Sequence, residues 1–314
     1  PAMLQAIEQA TSHLFLSSYI FESNRSGQEF IDALARATAR GVDTRVEIDG
    51  IGERYSRPRV SRLLAQRGVT VARFLPPRLV PPMLHINLRN HRKVLIADGR
   101  VAFTGGMNIG DRHLAARSDN PDRVVDAHFR LQGPVVAQLQ RVFLDTWAFT
   151  NRQPAEDVPA DEREVGTAIC RTIVDGPDED LDKLLSVLLA AVSAARSQVA
   201  IMTPYFVPPR ELVGALKGAA LRGVEVTVIV PGRNNLPFVH WGSRHMLWEL
   251  LERGVRIYEQ PPPFVHTKLF MVDRHYVQIG SANMDPRSMR LNFELVVEIY
   301  DRGLATTIDE HFQA

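Results

Sequence analysis

The sequence predicts an α/β protein made of two copies of one unit. Two observations carry this. The first is a signature written twice. His91-Arg-Lys93-Val-Leu-Ile-Ala-Asp98 is followed by Gly105-Gly106-Met-Asn108, and His266-Thr-Lys268-Leu-Phe-Met-Val-Asp273 by Gly280-Ser281-Ala-Asn283. In both copies Lys follows His by two positions, Asp follows Lys by five, and Gly follows Asp by seven. Chance does not repeat such spacing, so the chain reads as a duplication. The second observation is the alternation of short apolar runs with amphipathic segments, which favours parallel strands joined by crossover helices.

Taken in order, residues 13–21 predict a buried strand. Phe30, Ile31, Leu34 and Ala37 share a helical face over roughly 28–40, with Gly41 as the stop. Val42 to Ile48 reads as a strand and Asp49-Gly-Ile-Gly52 as a turn; a second helix ends at Gly68, and Val69 to Phe74 is a further strand. Pro76 to Leu84 holds too many prolines for a helix or central strand and reads as a loop at the mouth of a site. After the first signature come a strand over Asp126 to Leu131 and a helix over Gly133 to Phe149. Asn151 to Gly166 is polar and acidic, a linker between units 1–150 and 167–314. The second half repeats the order, with an amphipathic helix through Leu184, Leu188 and Val192 and a strand over Gln198 to Met202. Ala39-Arg-Gly-Val42 is echoed by Leu221-Arg-Gly-Val224, and Gln66-Arg-Gly-Val69 by Glu252-Arg-Gly-Val255.

The signature has chemical content. Apolar runs follow each Lys, so each signature reads as a buried strand, on which positions i and i+2 face the same way. His91 then projects beside Lys93, and His266 beside Lys268. A neutral imidazole attacks electrophiles, and a neighbouring ammonium holds anions. With the amides of Asn108 and Asn283, the set suits a phosphodiester. Asp98 and Asp273 fall at an odd offset from His, on the opposite face, and read as supporting residues. Neither signature offers metal-ligand spacing, and His85, His113, His128, His240, His245 and His275 add none.

These residues resemble the phospholipase D superfamily, whose double signature is complete here. Asn90-His-Arg-Lys-Val, Phe103 to Asp111, Pro204-Tyr-Phe-Val-Pro208 and Gly280 to Ser288, running on to Glu294, are similar to its bacterial cardiolipin synthase branch. The resemblance implies a pseudo-two-fold pair of α/β/α sandwich units with mixed, mostly parallel sheets, the two signatures meeting centrally. It implies a metal-independent double displacement without cofactor. His91 attacks phosphorus, His266 is acid and base, and Lys93, Lys268, Asn108 and Asn283 cradle the phosphate oxygens. Glu294 is the expected orienting carboxylate for His266, and Asp126 its counterpart in the first half. Ser281 is a supporting hydroxyl, although Gly106 stands at its matching position. Tyr19 and Tyr205, on matching strand ends, are expected to line the cleft. The implied reaction moves a phosphatidyl group between lipid alcohols, with phosphatidylglycerol as donor and acceptor. Hydrolysis to phosphatidic acid, a nuclease and a non-catalytic lipid-binding protein are the alternatives.

Composition bounds the setting. The chain has 314 residues, 45% hydrophobic and 23% charged, with one cysteine, Cys170, and so no intrachain disulfide. Its net charge of +1 conceals an asymmetry: residues 1–150 carry 20 Lys and Arg against 14 Asp and Glu, and the remainder 17 against 22. Arg54, Arg57, Arg59, Arg62 and Arg67 supply much of the excess, either as a solvated helix face or as a surface for anionic lipid or nucleic acid. No apolar run reaches the ~18 residues of a membrane-spanning helix. The chain opens without Met and soon enters an apolar segment. It is therefore expected to be the ordered part of a longer protein, held at the cytoplasmic face of a bacterial membrane peripherally or by a segment outside this chain.

Overall fold

The computed structural model describes residues 1–77, 87–114, 120, 122–233 and 246–313. Contacts divide the chain into two compact units, Pro1–Leu114 with His128–Gly166, and Ala115–Ala127 with Thr167–Ala314. Residues 122–127 lie within the first repeat in sequence, yet pack with the second unit.

In the first unit, β1 (His13–Ser18), β2 (Asp43–Asp49) and β3 (Thr70–Phe74) pair in parallel with β2 between the others. On the other side of β1 come β4 (Val94–Ala97), β5 (Val101–Gly105) and β7 (His128–Gln132), each antiparallel to its neighbour. The helices α1 (Ala2–Gln9), α2 (Arg25–Ala39) and α3 (Val60–Gln66) cover one face. Ile7, Ile31, Leu34 and Leu64 bury there against Leu14, Leu16, Val46, Ile48 and Leu95. Phe15 has the opposite parity on β1, and stacks on Phe143 of α4 (Val135–Asn151) with ring centroids 4.9 Å apart. The unit is thus a three-layer α/β/α sandwich.

The second unit repeats this plan. β9 (Gln198–Met202), β10 (Glu225–Pro231) and β11 (Arg256–Gln260) are parallel. β13 (Leu269–Val272), β14 (Tyr276–Gly280), β15 (Glu294–Tyr300) and β8 (Ile169–Asp175) continue the sheet antiparallel. α5 (Lys183–Ala194), α6 (Arg210–Leu221) and α7 (residues 246–251) pack on the face bearing Val199, Ile201, Val226 and Phe270. Gln198, of opposite parity, hydrogen-bonds Asp309 of α8 (Arg302–Gln313) on the other face. A separate ribbon pairs β6 (Val124–Val125) in parallel with β12 (Phe264–Val265).

The fold class is the expected one, but the sheets are not mostly parallel. Only the first three strands of each unit pair that way. The signature strands turn back at once through Asp98 (φ 53°) and Gly99 (φ 61°), or Asp273 (φ 52°) and Arg274 (φ 49°). Such short connections permit hairpins only, since a parallel crossover needs a dozen residues or more. The strand expected over Asp126 to Leu131 begins two residues later, as β7, and Asp126 and Ala127 part it from the short β6. The loop expected over Pro76 to Leu84 lies outside the described residues from residue 78 onward, as do His85, His240 and His245.

Candidate active site

In the first unit, His91 and Lys93 precede β4 rather than lying within it. Strand alternation therefore does not bring them together; a local bond does. Lys93 Nζ folds back and donates to the His91 carbonyl oxygen at 2.6 Å. Tyr19, just past β1, meets the His91 ring edge-on at 5.1 Å, and its own ring centroid lies 5.6 Å from Lys93 Nζ. Asn108 follows β5 and is buried; its Oδ1 accepts from Ile20 N at 3.2 Å. Thr104 Oγ1 donates to Lys93 O at 2.8 Å and fixes the start of β4.

In the second unit, His266 also precedes its strand, β13, and is held by the ribbon. Its backbone N–H donates to Val125 O at 2.7 Å. The residue after Val125 is Asp126, whose Oδ2 lies 2.7 Å from His266 Nδ1. The two side chains are 13% and 2% exposed for His266 and Asp126. A largely desolvated carboxylate on Nδ1 holds that nitrogen as the donor and supports a positive ring. The carboxylate facing Nδ1 is therefore Asp126, where the sequence pointed to Glu294. The ribbon delivers it, and no periodicity in the sequence announces a parallel pair of two-residue strands.

Lys268 Nζ donates to the His266 carbonyl oxygen and lies 3.0 Å and 3.2 Å from the two ring nitrogens. Burial lowers the Lys268 pKa to about 8, against the opposing pull of the Asp126, Glu294 and Asp285 carboxylates. Glu294 is fully buried at the head of β15 and accepts from Ser281 Oγ, from Ser288 Oγ at 2.8 Å and from Asn292 Nδ2 at 3.4 Å. Ser281 Oγ also accepts from Leu295 N at 3.0 Å, so this hydroxyl secures Glu294 and the strand behind it. Asn283 is buried, and its N–H donates to Ser288 Oγ at 3.1 Å. Tyr205 does not match Tyr19: Phe264 stands 6.4 Å from Tyr205 and 6.1 Å from His266, in line with the ribbon. Sequence reasoning passed over Phe264, which offered no signal beyond its place two residues before His266.

Asp98 and Asp273 do the same work in each unit. Asp98 accepts from the backbone N–H groups of Thr11, Ser12 and His13, and Asp273 from those of Arg196, Ser197 and Gln198. Burial pushes both carboxyls up, but the backbone donors outweigh it and hold both below the usual range. Each ties the turn entering the central strand to the end of the signature strand.

The two units define a class: a duplicated α/β protein with one His-x-Lys site per unit, the second histidine backed by an acid. The family description "Cardiolipin synthase, PLD-like domain" matches residues 3–147 and 188–314. The chain belongs to the phospholipase D superfamily, in its cardiolipin synthase branch. It is 32% identical over 317 residues to cardiolipin synthase 2 of Staphylococcus epidermidis, covering 99% of this chain and 64% of that protein. It is 33% identical over 317 residues to the major cardiolipin synthase ClsA of Bacillus subtilis, covering 99% of this chain and 65% of that one. The chain thus spans less than two thirds of the length of these relatives. Among solved structures, a phosphatidylserine synthase of Haemophilus influenzae shares the fold with a TM-score of 0.75 at 17% identity, covering 99% of this chain and 83% of that one. A polyphosphate kinase of Porphyromonas gingivalis shares it with a TM-score of 0.63 at 16% identity, covering 98% of this chain and 46% of that one.

Proposed function

We propose that the protein is a cardiolipin synthase-type phosphatidyltransferase. The observation that carries this is the acid-backed imidazole of His266 in one unit and the His91-Lys93-Asn108 set in the other. Asp126 equips His266 as acid and base, and the resemblance to the superfamily makes His91 the nucleophile. His91 attacks the phosphorus of phosphatidylglycerol and forms a phosphohistidine. The bond to the leaving glycerol oxygen breaks as His266 protonates that oxygen. The neutral His266 then takes the proton from a hydroxyl of a second phosphatidylglycerol, whose oxygen displaces His91 and closes the new phosphodiester. Lys93, Lys268, Asn108 and Asn283 stabilise the charge that builds on the non-bridging oxygens. Loss of one such donor costs about 2.7–4 kcal/mol of barrier in related chemistry.

The relatives' names support the lipid substrate, and an exposed basic surface supports a membrane partner. Arg54, Arg57, Arg59, Arg62 and Arg67 are all solvent-exposed, beside Tyr55, itself 60% exposed. Arg54, Arg57 and Arg62 have no ion pair among the described residues. Tyr55 lies 6.5 Å from Tyr19, the ring that meets His91. An anionic bilayer attracts such a cluster with roughly 1 kcal/mol per basic residue. Among the described residues no helix is long and apolar enough to cross a membrane.

The test is product analysis after incubation with phosphatidylglycerol vesicles, with His91→Ala as control. Cardiolipin and glycerol are the expected products, and they should vanish in the control. Phosphatidic acid alone would make the protein a hydrolase using the same intermediate. Neither product would remove the lipid assignment.

A further inference from the structure

Behind His91 the first unit buries a charged cluster that the chemistry above does not use. Glu47 and Asp49 on β2 are both 0% exposed, and Arg89 and Asn90 are 1% exposed. Glu47 Oε2 accepts from Asn90 Nδ2 at 2.7 Å, and Oε1 from Thr150 Oγ1 of α4 at 2.6 Å. Asn90 Nδ2 also donates to Ser17 Oγ at 3.2 Å, and Asn90 N to Asp49 Oδ2 at 3.1 Å. Asn90 Oδ1 accepts from Arg92 N at 3.1 Å, and Arg92 Nη1 donates to Thr146 Oγ1 at 2.7 Å. Asp49 further accepts from Ile51 N and Gly52 N and pairs with Arg89 Nη1 at 3.4 Å. The residues on both sides of His91 are thus tied to β2 and α4.

Fold stability does not account for this arrangement. Buried ion pairs roughly break even against well-packed apolar groups, and the second unit shows the apolar version. Strand register sets His13 beside Asp43 and Gln198 beside Glu225. Counting along those strands, Glu47 corresponds to Ile229, Asp49 to Pro231 and Ser17 to Met202. Asn90, one residue before His91, corresponds to Val265 before His266. The second sheet closes without any of these polar groups, and its histidine is held by the ribbon instead.

We propose that Glu47 and Asn90 are positioning residues for His91: the buried carboxylate fixes the Asn90 side chain, and Asn90 fixes the peptide from which the imidazole projects. The proposal rests on the reading of His91 as the attacking group. Glu47 has a further property. Burial pushes its pKa up to about 7, against the Thr150 and Asn90 hydrogen bonds and the Arg92 charge, with Asp49 adding to the rise. Its bond to Asn90 becomes charge-assisted, and stronger, as it ionises through neutral pH.

The test uses two variants of the whole chain. Glu47→Gln keeps the shape and removes the charge; kcat should fall with KM unchanged, and the kcat–pH profile should lose its ionisation near pH 7. The double variant Glu47→Ile with Asn90→Val puts the second unit's residues at both positions, and Thr150 Oγ1, Ser17 Oγ and Arg92 N each lose a partner. It should still fold, with a cooperative thermal melt, while kcat falls by about 10²-fold, the scale of a misplaced nucleophile. A double variant that melts normally with kcat within twofold of wild type overturns the proposal. So does a Glu47→Gln variant with unaltered kcat and pH profile. Rates are read on bis(4-nitrophenyl) phosphate as well as phosphatidylglycerol, so a wild type inactive on lipid alone counts against the lipid assignment and not the positioning. The rate at which diethyl pyrocarbonate modifies His91, followed by mass spectrometry, provides a readout independent of turnover. It should change several-fold in the double variant, and an unchanged rate also overturns the proposal.

Discussion

Asp126 and Lys268 set the electrostatics of His266 from different directions. The carboxylate, 2.7 Å from Nδ1, favours the charged ring, and the ammonium beside it opposes that charge. Removing the negative member while keeping its shape should be costly. Asp126→Asn is expected to lower kcat by roughly 10²–10⁴-fold with KM little changed, in steady-state assays, because the amide no longer supports the imidazolium. Lys268 gives a second prediction. Its pKa of about 8 means that half its charge is lost at pH 8 and the rest fades above it. The kcat/KM profile should therefore show an alkaline limb near pH 8, and Lys268→Arg, whose charge does not titrate, should remove that limb. At this scale the sequence was most legible where it was doubled. His91, His266, Lys93 and Lys268 stood out because two copies share one spacing. Glu47 was hidden within the run Val46-Glu47-Ile48, although an acid in a strand expected to be buried is a signal in its own right.

Among the elements, the turns explain how the signatures are held. Asp98 and Asp273 sit at positive φ and each gathers three backbone donors from the turn before the central strand. Asp98→Ala and Asp273→Ala should each destabilise the protein by about 1–3 kcal/mol, read from urea midpoints, because those donors lose their partner. Catalysis in the fraction that remains folded should be intact, which separates these aspartates from Asp126. Parity arguments set Asp98 and Asp273 on the face opposite His91 and His266, and in the structure both carboxylates accept backbone donors at the strand ends. The same arguments misplaced His91 and Lys93 inside a strand, since a backbone-directed lysine produces the same shared orientation as strand alternation. The ribbon of β6 and β12 was illegible for a simpler cause. Its strands have two residues each, and they lie about 140 positions apart in sequence.

Over the whole molecule, buried ionisable groups should govern the dependence of stability on pH. Burial raises Glu47 and Asp175 to about 7, so the folded state binds more protons than the unfolded chain between the ordinary carboxylate range and pH 7. Stability from these groups should fall as pH rises through that window. Lys268 has the opposite sign: between about 8 and its ordinary 10.5 the unfolded chain binds the extra proton, and stability should recover. Thermal melts should therefore pass through a minimum Tm between pH 7 and 8. Glu47→Gln combined with Asp175→Asn should flatten the acidic side of that minimum. The duplicated α/β plan was evident from the repeated landmarks, whereas the pairing directions were not, because apolar runs alone do not distinguish a crossover from a hairpin.

The allegiance of residues 122–127 bears on how such a chain could have arisen. The acid on His266 is encoded 140 residues upstream, in a segment that interrupts the first unit. An ancestor holding a single unit could have furnished its histidine with that partner only by lending the segment to another molecule of itself. Fusion of two genes would then have recorded an older exchange between separate chains. It would also have freed the two histidine supports to diverge, one into a buried polar cluster and the other into a borrowed strand.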